Sequence, residues 1–227
     1  VPARIAFLLD VDNTLLDNDL VKQHIDMVLK RDAGTAIEQR FWKVYEDVRR
    51  DLDAVSVPVT LERLRKESGD ARQIERIAKS LYSMPFPDFV YPGALELLRW
   101  LRDVGIPVIL SDGDPWFQAK KITDAGLGEA VTGNVLIFLH KEKHVEDIKR
   151  WYPADRYFSI DDKPNLLSSL RSGFGTGLTT IWIRQGHYAQ AGVPDGDVSP
   201  DYRVESIAEL QPVISRALEG YAVEKDN

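Results

Sequence analysis

Two rhythms of apolar residues divide the chain. Ile5 to Leu9 is an unbroken apolar run, the pattern of a strand buried on both faces, and it stops abruptly at Asp10, with Asp12 and Thr14 following. From Asn18 to about Pro87 the apolar positions change to helical spacing. Leu20, Ile25, Val28 and Leu29 form one set, Ile37, Phe41, Val44 and Val48 a second, Leu61 and Leu64 a third, and Ile74, Ile77 and Leu81 a fourth. Breaks at Asp32-Ala-Gly34, Val57-Pro58 (with Thr60 as the expected N-cap), Ser68-Gly-Asp70 and Pro85-Phe-Pro87 cut this region into three or four helices. Phe41, Trp42 and Tyr45 cluster within it and are expected to pack as core, with a substrate-facing wall as the alternative.

Beyond Tyr91 strands and helices alternate. Gly93 to Val104 reads as an amphipathic helix, followed by the strand Pro107-Val-Ile-Leu-Ser111. Asp114 caps a helix with Pro115 at its first position, running to about Ala125. Asn134–Leu139, Tyr157–Ile160 and Thr179–Ile183 are further strands, with helices at Glu142–Trp151 and Ser206–Leu218, and Glu224 to Asn227 is expected to fray. This alternation predicts an α/β fold with a doubly wound parallel sheet, carrying a small all-helical domain. The boundaries are 1–17 and 88–227 for the α/β core and 18–87 for the helical domain.

Composition narrows the function classes. With 227 residues, 44% hydrophobic and 29% charged, the chain is an ordinary globular sequence. Zero cysteines exclude disulfides, thiolate catalysis and Cys-ligated zinc. A net charge of -7 without a basic patch argues against nucleic acid as a partner. No stretch has the length of a membrane span or the pattern of a signal peptide, so a cytoplasmic location is expected.

In parallel sheets, ligands gather where strands end, and here the strand ends carry chemistry. Two acids two positions apart at a buried strand tip suit a shared cation, or a division into nucleophile and proton donor; a solvated turn is the simpler reading. The second strand ends in Ser111-Asp112-Gly113, where a hydroxyl and an unobstructed backbone can meet an anionic oxygen. The third is followed by His140-Lys-Glu-Lys143 at a helix start, an unfavourable place for cations unless an anion lies nearby. The fourth ends in Asp161-Asp162-Lys163-Pro164. Several carboxylates at close range need a divalent cation, and oxygen-only ligands favour Mg²⁺ over zinc.

Asp10-x-Asp12-x-Thr14, Ser111, Lys141 and Asp161-Asp162, in this order, resemble the four motifs of the haloacid dehalogenase-like hydrolase superfamily. The helical insertion resembles that superfamily's cap, and the likeness covers nearly the whole chain. It implies that Asp10 attacks phosphorus to give an aspartyl-phosphate, while Asp12 protonates the leaving oxygen and then deprotonates water. Asp10, Asp12 through its backbone carbonyl, and one or both of Asp161 and Asp162 would hold Mg²⁺. Thr14, Ser111, Asp112, Gly113 and Lys141 would surround the phosphoryl group. Lys141 is preferred over Lys143 as the motif lysine because it lies nearer the strand end. The named dehalogenases lack the acid that Asp12 supplies, so a phosphatase acting on a small phosphorylated metabolite is expected. A phosphomutase on a sugar phosphate or a catalytically silent binding protein is the alternative, and the chain is expected as a monomer or homodimer.

Three other motifs carry less. Gly173-Phe-Gly-Thr-Gly177 precedes a strand instead of joining a strand to a helix, so it reads as a turn and not a phosphate cradle. His140 and His144 lack a third ligand for zinc. Trp116 and Phe117 are expected in the core.

Overall fold

The computed structural model describes residues 4–190 and 199–225. Six strands, β1 (Ile5–Leu9), β2 (Ile106–Asp112), β3 (Val135–Phe138), β4 (Arg156–Asp161), β5 (Leu178–Ile183) and β6 (Tyr202–Val204), form one sheet. Its order is β3-β2-β1-β4-β5-β6 and every pairing is parallel. The order reverses at β1, which opens a crevice between the carboxyl ends of β1 and β4. Asp10 and Asp161 stand there.

Ten helices accompany the sheet among the described residues, apart from short 3-10 turns: α1 (Asn18–Ala33), α2 (Thr35–Leu52), α3 (Val57–Ser68), α4 (Ala71–Tyr82), α5 (Ala94–Val104), α6 (Pro115–Asp124), α7 (Leu127–Ala130), α8 (Val145–Trp151), α9 (Pro164–Phe174) and α10 (Leu210–Lys225). Successive side chains of a strand point to opposite faces, and the two faces bury different partners. Phe7, Leu9, Ile109, Phe158 and Ile160 pack with Leu97, Leu98 and Leu101 of α5, Ile122 of α6, and Leu210 and Ile214 of α10. Ala6, Leu8, Val108 and Leu110 pack with Val145 and Ile148 of α8 and Leu170 and Phe174 of α9.

The first four helices form one block. Asp17 opens α1 by accepting from Leu20 N at 2.9 Å, and Gly34, at φ 85°, closes it. Asp70 opens α4 in the same way, accepting from Gln73 N at 2.9 Å. The cap of α3 is Ser56, whose hydroxyl accepts from Val59 N; Thr60, the residue expected there from sequence, is buried one turn in and donates to Ser56 O at 2.7 Å. The chain enters and leaves this block through two antiparallel segments. Leu16 pairs with Val90, Asp17 N donates to Phe89 O at 2.8 Å, and Tyr91 N donates to Leu15 O at 3.0 Å.

Several boundaries differ from the sequence pattern. The helix expected over Glu142–Trp151 is a 3-10 turn over Lys141–His144 leading into α8, and the last helix opens with a 3-10 turn at Ile207–Glu209. Glu224 and Lys225 are helical instead of frayed, while Asp226 and Asn227 lie outside the described residues. Gly175–Gly177 is a short 3-10 turn between α9 and β5. Among the described residues, no helix is long and apolar enough to cross a membrane.

Candidate active site

Beyond β1, residues 11–16 fold into a tight loop. Thr14, Leu15 and Leu16 all send their N–H groups to Val11 O, at 3.2, 2.9 and 3.0 Å, and Asn13 takes a positive φ of 59°. This turns Asp10 into the sheet's crevice and Asp12 toward α6. Asp10 N donates to Ile160 O at 3.0 Å, tying the tip of β1 to β4.

Lys141 is the centre of charge. It is 1% exposed, and its Nζ lies 2.6 Å from Asp10 Oδ1, 2.7 Å from Asp161 Oδ2 and 3.1 Å from Leu110 O. Burial works against its charge, yet Asp10 and Asp161 outweigh burial and raise its pKa. Lys143 is exposed.

Asp10, Asp161 and Asp162 are all buried, and each offers a carboxylate oxygen within 4.8 Å of the others'. Asp10 Oδ2 and both oxygens of Asp162 are buried without a hydrogen-bond partner; the ammonium of Lys163 is 3.9 Å from Asp162 Oδ1. Burial raises the pKa of both Asp10 and Asp162, with Asp161 adding repulsion, and Lys141 opposes the rise at Asp10. Buried carboxylates gathered this closely, three of their oxygens without hydrogen-bond partners, match the donor set of a hard divalent cation. Lys163 also supplies positive charge here, and its N–H donates to Asp161 Oδ1 at 2.9 Å.

The Asp12 side chain stands apart from that cluster, in keeping with the expectation that only its backbone carbonyl would face a metal. Lys121 Nζ donates to its Oδ1 at 2.6 Å and Gln118 Nε2 to its Oδ2 at 3.0 Å. Burial alone would raise Asp12, but the charge and hydrogen bond of Lys121, with Gln118, carry its pKa below the usual range.

Of the residues expected around phosphate, Ser111 is buried beside Gln118, whose Nε2 lies 3.1 Å from Ser111 Oγ. Gly113, at φ 144°, has no free room for a side chain, because a Cβ would stand 2.7 Å from Gln118 Cγ and the glutamine would have to shift. Asp112 plays a different part. Its Oδ1 accepts from Lys141 N at 2.8 Å, fixing the backbone that delivers the lysine, and a carboxylate is a poor neighbour for phosphate. Thr14 is fully buried, and its hydroxyl has no hydrogen-bond partner.

Above these residues is a cavity of about 600 Å³. Asp12, Gln118 and Lys121 line it from below, and Lys22, Trp42, Tyr45 and Arg49 from the helical block. Phe41 is buried core, but Trp42 and Tyr45 are half-buried and face this space, their rings edge to face at 5.2 Å. Trp42 Nε1 donates to Asp26, so the polar tip and the flat ring serve different sides. Trp116 is 79% exposed instead of core, whereas Phe117 is buried. His140 pairs with Asp53 Oδ2 at 3.1 Å, and His144 stacks on Phe138 at 4.2 Å, so the two histidines share no site.

Lys121 and Gln118 belong to none of the sequence motifs. A signal exists: Phe117, Gln118, Lys121, Ile122 and Ala125 form one buried stripe, and two of its members are polar.

A model of the family described as haloacid dehalogenase-like hydrolase matches residues 6–150. A haloacid dehalogenase-like hydrolase from Burkholderia xenovorans LB400 is 38% identical, with a TM-score of 0.88 over 96% of this chain and 99% of its own. A HAD-hydrolase from Bacillus subtilis, YfnB, solved bound to magnesium, has a TM-score of 0.65 at 16% identity over 93% of this chain and 98% of its own. The L-2-haloacid dehalogenase of Xanthobacter autotrophicus, with chloropropionic acid covalently bound, has a TM-score of 0.63 at 16% identity, over 92% and 98%. These last two likenesses concern the fold alone. No curated protein matches the chain.

Proposed function

The chain belongs to the haloacid dehalogenase-like hydrolases, and from that premise we propose that it is a Mg²⁺-dependent phosphatase of small phosphate monoesters. The observation that carries the reading is the buried cluster of Asp10, Asp161 and Asp162, with oxygens left without hydrogen-bond partners. Such a cluster is costly unless a cation completes it.

Asp10, one oxygen anchored on Lys141, attacks the phosphorus. Asp12, at the cavity floor, gives a proton to the departing alkoxide and later takes one from the attacking water. Ser111 donates to a phosphoryl oxygen, and Lys141 balances charge as it moves between the phosphoryl group and Asp10. Mg²⁺, held by Asp10, Asp161 or Asp162 and the Asp12 carbonyl, would neutralise the phosphoryl oxygens when bound. The helical block acts as a cap, with Lys22, Trp42, Tyr45 and Arg49 meeting the leaving group.

Phosphate release from p-nitrophenyl phosphate, with and without Mg²⁺, tests the reading. Asp10→Asn should lower turnover on the order of a thousandfold or more. Halide release from 2-chloropropionate, with no phosphate release from any ester, would replace the proposal with dehalogenation.

A further inference from the structure

The two oxygens of Asp12 are held by two side chains of one helix. Lys121 Nζ is 2.6 Å from Oδ1 and Gln118 Nε2 is 3.0 Å from Oδ2. Residues three apart on a helix share a face, so α6 grips the carboxylate as a rigid fork. Both arms are buried, Lys121 at 3% and Gln118 at 5% exposure. Asp12 is the one carboxylate within 4.0 Å of Lys121 Nζ among the described residues, and Asn18 Oδ1 is its next contact, at 3.4 Å. The Gln118 amide also reaches Ser111 Oγ at 3.1 Å and Asp112 O at 2.9 Å, binding Asp12 to the end of β2. The helix itself is fixed at its start, where Asp114 accepts from Trp116 N and Phe117 N at 2.9 and 3.0 Å and, through its other oxygen, from Val57 N at 3.2 Å. A buried lysine is expensive unless paired, and apart from Gln118 the rest of this stripe is apolar, so packing does not account for a cation here.

We infer that Lys121 and Gln118 are positioning residues that hold Asp12 as the base of the second half-reaction; the inference rests on the roles of Asp10 and Asp12 proposed above. In that step the oxygen of water bonds to phosphorus and the bond from phosphorus to the Asp10 oxygen breaks. The electron pair of that bond returns to the Asp10 carboxylate, and the proton of the water passes to Asp12. Inorganic phosphate leaves. Each carboxylate oxygen has two lone-pair sites, so the fork fills one on each and leaves the other for water. Without the fork the carboxylate turns about its own bonds and the near-attack arrangement is lost.

With p-nitrophenyl phosphate the first half-reaction expels a phenolate that needs no proton, which separates the two halves. Stopped-flow traces with Mg²⁺ are compared for the wild type and Lys121→Met, Lys121→Arg, Gln118→Leu and Asp12→Ala. Lys121→Met and Gln118→Leu should release one equivalent of nitrophenolate in a burst at the wild-type rate, then turn over about ten- to a hundredfold more slowly. Mass spectrometry of acid-quenched protein should find the phosphoryl group retained on Asp10. Lys121→Arg should restore most of the steady rate.

Asp12→Ala serves as the reference. If it shows the burst while Lys121→Met and Gln118→Leu behave like the wild type, the inference is overturned and the role of Asp12 stands. If Asp12→Ala shows neither a burst nor slower turnover, the role of Asp12 fails instead. Burst and steady rate falling together in the Lys121 and Gln118 variants marks a structural role and also overturns the inference. Should Lys121→Met not fold, Gln118→Leu and Lys121→Arg carry the comparison.

Discussion

Replacing Lys141 with Met keeps the buried stem and deletes the charge that two carboxylates share. In the wild type its ammonium lies 2.6 Å from Asp10 and 2.7 Å from Asp161, whose side chains are 4% and 1% exposed. Breaking a buried ion pair from one side costs roughly 3–5 kcal/mol, because the remaining charge stays buried without a partner. For a chain of this size each kcal/mol moves the melting temperature by about 2–4 °C, so a drop of about 6–20 °C is expected in metal-free protein at pH 8. The sign with pH follows from the carboxylates. Without the lysine the folded pKa of Asp10, already raised by burial, rises further above the unfolded one, so the folded state gains relative stability as pH falls and a proton replaces the missing cation. The gap to wild type should therefore narrow toward pH 5. Differential scanning fluorimetry with and without Mg²⁺, across that range, measures all of this. Adding Asp161→Asn to Lys141→Met should recover part of the loss, since it removes one of the stranded charges. A Lys141→Met melting point within about 2 °C of wild type at pH 8 would show that the ammonium does not carry the balance of this cluster.

Burial raises Asp10 and Asp162, so a bound cation must displace protons, and Mg²⁺ affinity should strengthen as pH rises; calorimetry in two buffers of different ionisation enthalpy counts those protons, and a pH-independent affinity contradicts the prediction. In the metal-free protein the same two groups favour the folded state at low pH and cost stability as pH climbs from the ordinary carboxylate range through their raised values. Asp114→Ala removes the cap of α6 and the acceptor of Val57 N; about 1–2 kcal/mol of stability should be lost, with faster hydrogen exchange at Val57. Gly113→Ala places a Cβ against Gln118 at a φ of 144°; steady-state turnover should fall about tenfold or more while the chain still folds, and unchanged kinetics would deny Gln118 its place.

The sheet was largely legible in the sequence because a strand buried on both faces is a continuous apolar run, as in Ile5–Leu9, and its end is abrupt. The acids at the ends of β1 and β4 stand out for the same reason. Strand β6 was not legible: it has three residues, and Arg203 in its middle is exposed, so no period can develop. Ser56 and Thr60 are both good caps by type, and only the backbone shows which one precedes α3. Tyr45 stands one turn from buried Phe41 and Trp42 three positions before Tyr45, and helical spacing does not distinguish a core from the wall of a cavity. Lys121 escaped because a lysine in a helix normally reaches solvent; its partner, Asp12, is 109 positions away.

The paired segments at Leu16 and Val90 bear on how such a chain can be rebuilt. Everything from α1 to α4 hangs between two points joined by Asp17 N to Phe89 O and Tyr91 N to Leu15 O. Closing a longer or shorter excursion between adjacent points changes the entropy only slowly with length, about 0.6 kcal/mol per doubling. The helices are in this sense a single insertion, joined to α6 as well through Val57 N on Asp114 and Asn18 on Lys121. Another block with ends equally close could be grafted at the same two positions, leaving the acids and lysine of the sheet where they are and altering what they meet.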